Sequence, residues 1–405
     1  MMLPEGWMRS TVGEACAIKN NLRLPLNVEQ RSELKGSYPY FGPTGVLDYI
    51  NHYRIDEEFA VIGEDGDHFL KYREKPMTLH FSGKANVNNH AHVIGASTRC
   101  SPKWFYYWFM HRDLTPALSR QGVGRYKLTK KALCNLEIWL PPLSEQRSIA
   151  QVLATWDAAI EVSRRDATAA KKQLDALAYV VLMGRRRFGQ ADSSAVQESQ
   201  YGPIPSDWRY VCISDIATEV SLRPGLQDAW PVLSCTKHDG LVDSLEYFKK
   251  RVFSEDTSKY KVAPRGSFVY ATNHIEEGSL GYQDLYDAGL VSPIYTVFRT
   301  EPPVCDAYLH ALLKTEHYRQ IFAAATNASV DRRGSLRWRD FRAIKVPQPP
   351  LDEQQLIAGV LADARREVHL LQQQVTALER EKSALMSELL TGKRRVRLPT
   401  VEAAV

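Results

Sequence analysis

The chain has 405 residues, of which 44% are hydrophobic, so it is long enough to fold into more than one domain with a buried core. No apolar run approaches the roughly 18–20 residues that span a bilayer, and the first ten residues lack the pattern of an export signal. The net charge of +5 permits a polyanionic partner without requiring one. These properties predict a cytoplasmic globular protein.

The six cysteines are far apart and form no Cys-x-x-Cys pair, so neither a zinc site nor a redox dithiol is indicated. We expect reduced thiols that are mostly buried, as is typical of cytoplasmic proteins.

The first predicted domain covers residues 1–140 and mixes short β-like stretches with Gly, Pro and Asn. Residues 59–62 are apolar and are followed by Gly63-Glu64-Asp65-Gly66, which predicts a strand and a turn. Residues 103–111 are aromatic and apolar, a pattern that favours a helix buried in the core over a stacking platform. Residues 135–140 alternate into a final strand.

A connecting segment, residues 141–188, is predicted to hold a helix from Ser144 to Met183. Ser144 is the expected N-cap, and Glu145 suits the positive end of the helix dipole. Gly184 fits the end of the helix. Apolar or small residues recur at alternating spacings of four and three, which is a heptad seam: Ile149, Leu153, Trp156, Ile160, Ser163, Ala167, Ala170, Leu174, Leu177 and Val181.

A polar linker, residues 189–207, separates this helix from a second predicted domain, residues 208–348. Trp208 occupies the position of Trp7 in the first domain. The offset between equivalent landmarks grows from 201 to 208 residues through the domain, so the second domain has about seven extra residues. The two domains are expected to share a frame and to differ in their interiors.

The second connecting segment, residues 349–395, is predicted to hold a helix from Asp352 to Thr391, followed by a tail, residues 396–405. Asp352 and Gln355 form a capping-box pattern. The seam positions are Ile357, Leu361, Ala364, Val368, Leu371, Val375, Leu378, Lys382, Leu385 and Leu389.

The two connecting segments repeat each other. Ten of the fourteen residues from 141 to 154 are identical to those from 349 to 362, and the offset of 208 holds without a gap for about fifty positions. A long-period repeat indicates duplicated structural units. Each unit is a mixed domain followed by a long helix, so the molecule is expected to have approximate two-fold symmetry.

Each predicted helix has about forty residues and would be roughly 60 Å long at 1.5 Å per residue. A seam of that length needs a partner. Either the two helices pair in antiparallel fashion, with the domains at opposite ends of a rod, or each helix packs on its own domain. The regular three–four spacing favours the antiparallel pair.

The duplicated Pro-Pro-Leu-x-Glu-Gln motif at the head of two heptad helices resembles the specificity subunits (HsdS) of type I restriction–modification systems. Further matching stretches are residues 86–93, 291–295 and 334–336. The resemblance covers nearly the whole chain. It implies an α+β fold with two mixed α/β target recognition domains, joined by two long antiparallel coiled-coil helices in a pseudo-two-fold repeat.

The resemblance also implies a function. Such subunits are not catalytic: each target recognition domain reads one half of a bipartite sequence in double-stranded DNA. They assemble with two methyltransferase subunits and two restriction subunits. No cofactor is expected in this chain, because S-adenosylmethionine, ATP and Mg²⁺ belong to the partner subunits.

Two other functions stay open at this point. A coiled-coil scaffold could bind proteins through its globular ends and have no DNA specificity. A self-contained methyltransferase is disfavoured because the chain lacks the Asn-Pro-Pro-aromatic signature, and no Gly-rich nucleotide loop is present. His90 and His92, two residues apart on a predicted strand, leave a metal site open, although no nearby carboxylate completes one.

Candidate DNA-binding residues are Arg, Lys, Asn, Gln, Ser, Thr and His side chains on loops, because these residues contact bases and phosphates. Taken singly, each one is more simply explained as an ordinary solvated side chain. In the first domain they are Lys84, Asn86, Asn88, Asn89, His90, Arg120, Gln121, Arg125 and Lys127. In the second domain they are Thr236, Lys237, His238, Asn273, His274, Arg332, Arg333, Ser335 and Arg337.

The densest basic loop, residues 332–337, corresponds to the loop around Arg125 in the first domain and is the strongest of these candidates. The arginines that follow each helix, residues 185–187 and 394–395, are compatible with two interpretations. They could complement the negative end of the helix dipole or contact the DNA backbone.

Lengthening both long helices together is expected to change the gap between the two halves of the DNA target and to leave the halves themselves unchanged. The reason is that half-sites one helical turn apart are separated by about 34–36 Å, a distance that a rigid spacer can fix. Mapping the methylated target of the lengthened protein measures the gap, and an unchanged gap would contradict the prediction.

Overall fold

The computed structural model describes residues 3–120, 126–188, 195–199, 202–225, 230–327 and 334–397. The chain divides into two units: the first comprises Met1–Arg164 and Gln373–Val405, and the second comprises Arg165–Gln372. The division passes through both long helices, so each unit contains one mixed domain together with a part of each helix.

The first unit is built around a six-stranded sheet in the strand order β2-β7-β5-β6-β3-β4. Its neighbouring strands are antiparallel except for β3 and β6, which are parallel. The strands are β1 Met8–Thr11, β2 Ala17–Ile18, β3 Lys35–Phe41, β4 Val46–Ile50, β5 Ile55–Gly63, β6 Thr78–Val87, β7 Ala91–Gly95, β8 Ser119–Arg120, β9 Tyr126–Lys127 and β10 Glu137–Leu140. The helices are α1 Val12–Ala15, α2 Val28–Glu33, α3 Pro102–Phe109 and α4 Lys130–Asn135.

The aromatic helix α3 lies in the core of this unit, as its sequence predicted. It begins with Pro102 at its first position, and the Ser101 hydroxyl accepts a hydrogen bond from the Trp104 amide at 3.2 Å. Trp104 and Trp108 are fully buried, and Trp7 packs edge-on against Trp104 with ring centroids 5.7 Å apart. The aromatic run is therefore core and does not form a stacking surface.

The second unit has a four-stranded sheet in the order β14-β21-β18-β19 and several two-stranded pairs. Its strands are β11 Val196–Gln197, β12 Ile204–Pro205, β13 Arg209–Cys212, β14 Ala217–Glu219, β15 Leu233–Thr236, β16 Gly240–Asp243, β17 Lys261–Pro264, β18 Ser267–Ala271, β19 Leu280–Gln283, β20 Ala288–Val291, β21 Tyr295–Thr300 and β22 Lys345–Gln348. Its helices are α6 Ser244–Phe248, α7 Asp306–Leu313, α8 Glu316–Asn327 and α9 Trp338–Phe341.

In each domain, the strand near its start pairs with the strand at its end. Strand β1 pairs with β10 through Met8 and Leu140, and β13 pairs with β22 through Arg209 and Gln348. The two domains therefore share the pairing of their first and last strands. Their main sheets differ, because one has six strands and the other has four.

The two long helices are α5 Leu143–Leu182 and α10 Leu351–Leu390, each of 40 residues. Both begin one residue earlier than predicted. The carbonyls of Pro142 and Pro350 accept the first helical hydrogen bonds, so Ser144 and Asp352 lie in the first turn and are not the N-caps. Proline suits the position before the first helical residue because the amide there has no partner within the helix, and proline has no amide hydrogen to satisfy.

Within the first unit, the two helices run antiparallel. Asp157 of α5 binds Lys382 of α10 at 2.5 Å, and Arg164 binds Glu379 at 2.6 Å, so contacts move backward along α10 as they advance along α5. The seam residue Ile149 shares one buried core with Leu389 and with the domain.

The second unit has the same arrangement. Leu174 and Val181 of α5 are buried in one core with Ile357, Leu361 and Val368 of α10 and with the second domain. Each seam therefore packs both on the other helix and on a domain. The fold is α+β, with two mixed domains and two long antiparallel helices. In the described part of the chain, no helix is both long and apolar enough to cross a membrane.

The repeated Glu of the Pro-Pro-Leu-x-Glu-Gln motif is a buried anion. Glu353 accepts hydrogen bonds from Arg187 at 2.9 and 2.7 Å and from the Trp208 indole at 3.1 Å. The carboxylate raises the pKa of the Arg187 guanidinium through these hydrogen bonds. Arg187 and Glu353 are each only 3% exposed, so the pair is removed from water.

The first unit repeats this cluster. Glu145 accepts hydrogen bonds from Arg395 at 2.6 and 2.9 Å and from the Trp7 indole at 3.2 Å. The arginines that follow each helix thus have a role that neither sequence interpretation included. Arg187 and Arg395 neutralise the buried carboxylate at the start of the other long helix.

The repeated Gln anchors the loop that enters each domain core. The Gln146 side chain donates to the carbonyls of Arg99 and Pro141 and accepts from the Ser101 amide at 3.0 Å. Gln354 likewise donates to the Pro349 carbonyl and accepts from the Cys305 amide at 2.8 Å. The motif therefore persists because its polar side chains satisfy buried backbone groups.

The glycine after each helix is required by conformation and by space. Gly184 and Gly392 both have φ of +67°, the left-handed region that favours glycine. A Cβ at Gly184 would lie 2.4 Å from Pro205, and one at Gly392 would lie 2.3 Å from Pro4. Pro4 and Pro205 each precede the buried Trp by three residues, so this contact is duplicated as well.

Substituting Arg187 by Ala is expected to lower the free energy of unfolding by about 3–5 kcal/mol, because the Glu353 carboxylate would stay buried without a cation. The matched change Arg395→Ala is expected to cost less, since the Arg395 side chain is 46% exposed and water can replace it. Urea unfolding of the two variants measures the difference, and equal losses would contradict it.

Candidate nucleic-acid interface

The first unit contains a cleft of about 640 Å³ at one end of its sheet. Three residues predicted from the sequence, Asn88, His90 and Lys127, line it together. The complete lining is Pro43, Leu47, Asp65, Gly66, Asn88, His90, Tyr126 and Lys127.

Backbone hydrogen bonds hold the segments of this cleft in place. Glu64 follows β5, and its backbone amide donates to the His90 carbonyl at 2.7 Å. The Leu128 amide donates back to the Glu64 carbonyl at 2.8 Å, and the Asn88 amide donates to Phe41 of β3 at 2.9 Å. The cleft is therefore a set of loops fixed to a sheet, which is how proteins usually position binding residues.

Charges in the first cleft are nearly balanced. The Lys127 ammonium lies 3.2 Å from Glu64 and 3.5 Å from Asp65, and the hydrogen bond with Glu64 raises the pKa of Lys127. His90 contacts Asp65 at 3.0 Å, and Arg23 contacts Glu64 at 2.7 Å. A phosphate reaching this cleft would compete with two carboxylates for the same cations.

His90 and His92 do not form a shared metal site. The His90 side chain is 57% exposed, whereas the His92 side chain is 1% exposed. The His92 ring contacts the Leu128 carbonyl at 2.7 Å and the Asn20 amide at 2.9 Å, and burial lowers the pKa of His92. His92 is thus a core histidine whose two ring nitrogens are both hydrogen-bonded.

The other predicted residues of the first domain occupy different surroundings. Asn86 is buried and donates to the His52 carbonyl at 2.7 Å. Lys84 is exposed, with its ammonium 4.7 Å from the centre of the Tyr53 ring. Asn89 and Arg120 are exposed at the surface. DNA contact by these four residues stays a prediction. For Asn86, such contact would require the buried side chain to leave its hydrogen bond with the His52 carbonyl.

The second unit has a cleft of about 610 Å³ that contains Ser335 and Arg337 of the predicted set. Four lining residues are cationic and one is acidic, so this cleft favours a polyanion more strongly than the first cleft does. The complete lining is Glu219, Lys261, Thr272, Pro293, Ile294, Thr296, Ser335, Arg337, Trp338, Arg339 and Arg342.

The two clefts occupy equivalent positions in the repeat. The Leu336 amide donates to the Thr272 carbonyl at 2.8 Å, as the Leu128 amide donates to Glu64 in the first domain. Both partners are displaced by the same 208 residues that separate the two motifs. In each domain, a buried leucine therefore fixes the cleft loop to the end of a central strand.

The remaining predicted residues of the second domain lie outside its cleft lining. Thr236 is used by a turn, where its hydroxyl donates to the Gly240 carbonyl at 3.1 Å. Lys237 and His238 are exposed on the same turn. His274 is exposed and contacts Glu277 at 3.3 Å. Their contact with DNA stays a prediction, as does that of Asn273, which is partly buried.

Four predicted residues lie outside the described residues: Gln121, Arg125, Arg332 and Arg333. The strongest sequence candidates are therefore only partly covered by the structure, through Ser335 and Arg337.

Sequence reasoning missed several cleft residues. Arg339 and Arg342 continue the basic run after Arg337 and were not selected, whereas Lys261 is distant in the sequence and only the fold brings it to the same cleft. Leu47 and Ile294 are aliphatic, so a search for polar loop residues does not select them. Ile294 lies in the matching stretch 291–295, which offered a weak indication of its importance.

One group among the described residues has the spacing of metal ligands: His274, Glu276 and Glu277. It lies on a short, largely exposed turn, where acidic groups commonly occur without a metal.

Comparison with known proteins identifies the domain type. The family model of the type I restriction modification DNA specificity domain matches residues 4–169. The putative type I restriction enzyme specificity subunit S.HindORF215P of Haemophilus influenzae is 33% identical over 140 residues, which cover 35% of this chain and 34% of that protein. The type I restriction enzyme MjaVIII specificity subunit of Methanocaldococcus jannaschii is 22% identical, over 98% of this chain and 95% of that protein.

Solved structures have the same fold. The S subunit of a type I restriction–modification system from M. genitalium matches with a TM-score of 0.59 at 13% identity, covering 96% of this chain and 98% of that chain. A chain from a type I restriction–modification complex matches with a TM-score of 0.53 at 16% identity, over 97% and 100% of the two chains.

The repeated domains and the paired helices are shared with solved S subunits of type I restriction–modification systems, so the fold is of that class. Residues 4–169 match the type I restriction modification DNA specificity domain, and the chain is similar to a type I specificity subunit over nearly its whole length.

Substituting Lys127 by Ala is expected to weaken DNA binding, because Glu64 and Asp65 would face the cleft with less compensating charge. If Lys127 contacts one phosphate, the slope of log K against log salt should become shallower by about 0.9. Lys131→Ala, an exposed lysine in α4 outside the cleft lining, is the matched control. Fluorescence anisotropy between about 50 and 200 mM salt measures both quantities. Identical behaviour of the two variants would remove Lys127 from the interface.

Proposed function

We propose that this chain is the sequence-specific DNA-binding subunit of a type I restriction–modification complex and reads a bipartite target, one half-site per domain. The observation that supports this most directly is the equivalent placement of the two clefts. Each lies beside the same strand end, and the two are related by the 208-residue repeat.

The difference between the clefts supports two distinct half-sites. The first offers an asparagine, a histidine and a lysine beside a carboxylate, and the second offers four cations beside hydroxyl groups. Side chains of these types form base and phosphate contacts in DNA complexes. Because the lining differs in nearly every residue, the two domains would prefer different base sequences.

Assembly is the second part of the proposal. The chain would act in the cytoplasm with two methyltransferase subunits and, for cleavage, two restriction subunits. S-adenosylmethionine, ATP and Mg²⁺ would bind to those partners, and this chain would supply specificity and a scaffold. The two helices, which pack on each other within each unit, offer an element for such an assembly.

A coiled-coil scaffold that binds only proteins is the alternative. It predicts no dependence of the assembled complex on DNA sequence. A salt-dependent preference for one duplex over a scrambled duplex would exclude it, since phosphate contacts alone give no sequence preference.

Expressing the chain with its methyltransferase subunits in a host that lacks other DNA methylation is expected to methylate two short half-sites around a fixed, unspecified gap. Single-molecule sequencing maps these positions. Arg337→Ala should relax or weaken only one half-site, by about 1–3 kcal/mol if it contacts a base. Lys345→Ala, an exposed lysine in the same domain but outside the cleft lining, should leave the target unchanged.

Methylation that lacks a two-part pattern would contradict the proposal, as would an Arg337→Ala effect spread equally over both halves. Loss of both halves with loss of assembly would instead indicate that the variant fails to fold, which thermal unfolding would detect.

A further inference from the structure

Both clefts combine polar side chains with an exposed aliphatic side chain. Leu47 is 49% exposed at the rim of the first cleft, and Ile294 is 56% exposed at the rim of the second. Single exposed aliphatic residues are common on protein surfaces, so exposure alone indicates nothing. Their occurrence in both clefts, each beside a proline of the lining, is what calls for an explanation.

Leu47 is held by its hairpin. The amide of Gly42 donates to the Gly45 carbonyl at 2.8 Å and closes the turn between β3 and β4. The Leu47 side chain packs over Gly42, where an added Cβ would lie 2.7 Å from a Leu47 methyl carbon. This contact with the turn places the Leu47 side chain in the cleft lining.

Ile294 is held by a different set of contacts with the same result. Its carbonyl accepts a hydrogen bond from the Thr272 hydroxyl at 2.9 Å, and the next residue, Tyr295, donates from its amide to Ser292 at 2.9 Å. The Lys261 ammonium donates to the Tyr295 carbonyl at 2.6 Å. A surface loop with this many backbone contacts is positioned before any partner binds.

The chemistry of the surroundings limits what such a side chain can contact. Lys127 lies in the cleft with Leu47, and Lys261 and Arg337 lie in the cleft with Ile294. A partner must therefore present negative charge and a small apolar group close together. Duplex DNA does so in the major groove, where the C5 methyl of thymine projects between the phosphate backbones. Val46 and Tyr49 near Leu47 are also exposed but lie outside the cleft lining, and within each lining the one exposed aliphatic side chain offers far less area than a stable protein interface buries.

We propose that Leu47 and Ile294 each contact the C5 methyl group of a thymine in the half-site that their own domain reads. This inference rests on the proposed function, and it names a specificity element that the polar residues alone do not supply. An aliphatic contact favours thymine over cytosine and over uracil, both of which lack the C5 methyl group.

The test uses the assembled complex and the target found by methylation mapping. Each thymine of the two half-sites is replaced in turn by deoxyuridine, which removes only the methyl group. With the unmodified chain, one replacement in each half-site is expected to raise Kd about three- to fivefold, the contribution of one buried methyl group.

Variants assign these penalties to residues. Leu47→Ala should abolish the penalty in one half-site and leave the other intact, and Ile294→Ala should do the reverse. Leu47→Met and Ile294→Leu retain an aliphatic contact and should retain the penalties. Leu245→Ala, which alters a residue that is 53% exposed outside the cleft lining, should affect neither.

The outcomes separate this inference from the proposed function. Specific binding with no deoxyuridine penalty that depends on Leu47 or Ile294 would overturn the methyl contact and leave the proposed function standing. Equal weakening on all sequences by Leu47→Ala would indicate a wedge between base steps and would also overturn it. Absence of any sequence preference would overturn both.

Discussion

The structure of each unit depends on a carboxylate that is kept out of water. Glu145 and Glu353 stand at the start of the two long helices, where burial would be costly for an uncompensated charge. An arginine that follows the other helix and the indole of a tryptophan at the entry of the domain satisfy each one. Three separate parts of the chain thus meet at each carboxylate. The start of one long helix, the segment after the other helix and the first residues of a domain are held together by it.

This arrangement explains why the helix regions repeat closely while the domains diverge. The Glu, Gln, Gly, Trp and Arg positions satisfy buried charges, backbone groups and tight contacts, so few substitutions are tolerated there. The domain sheets need only an apolar interior, and they differ in strand number. The loops of each cleft are fixed to the frame by one repeated backbone hydrogen bond, which constrains their position and not their side chains. This division suits the proposed function, since the frame can stay constant while the residues of the clefts change.

The clefts themselves differ in the way they would bind a polyanion. In the first, two carboxylates already hold the cations, and a ligand must offer hydrogen bonds and shape as well as charge. In the second, cations outnumber acids, and burial lowers the pKa of Lys261, whose ammonium is anchored to a backbone carbonyl. Electrostatic attraction would thus contribute more to binding in the second domain, and local contacts would contribute more in the first.

The sequence by itself determined the repeat, the two long helices with their seams, the buried aromatic helix and the resemblance to type I specificity subunits. These features depend on periodicity and on identical residues, which are visible in one dimension. It also selected Asn88, His90, Lys127, Ser335 and Arg337, because polar loop residues beside strand ends are recognisable. Only the tertiary structure decided the partners of Glu145 and Glu353, since a contact between residues more than a hundred positions apart has no local signal. The tertiary structure also brought Lys261 into one cleft with Arg337, Arg339 and Arg342, and it placed Leu47 and Ile294 in the two cleft linings.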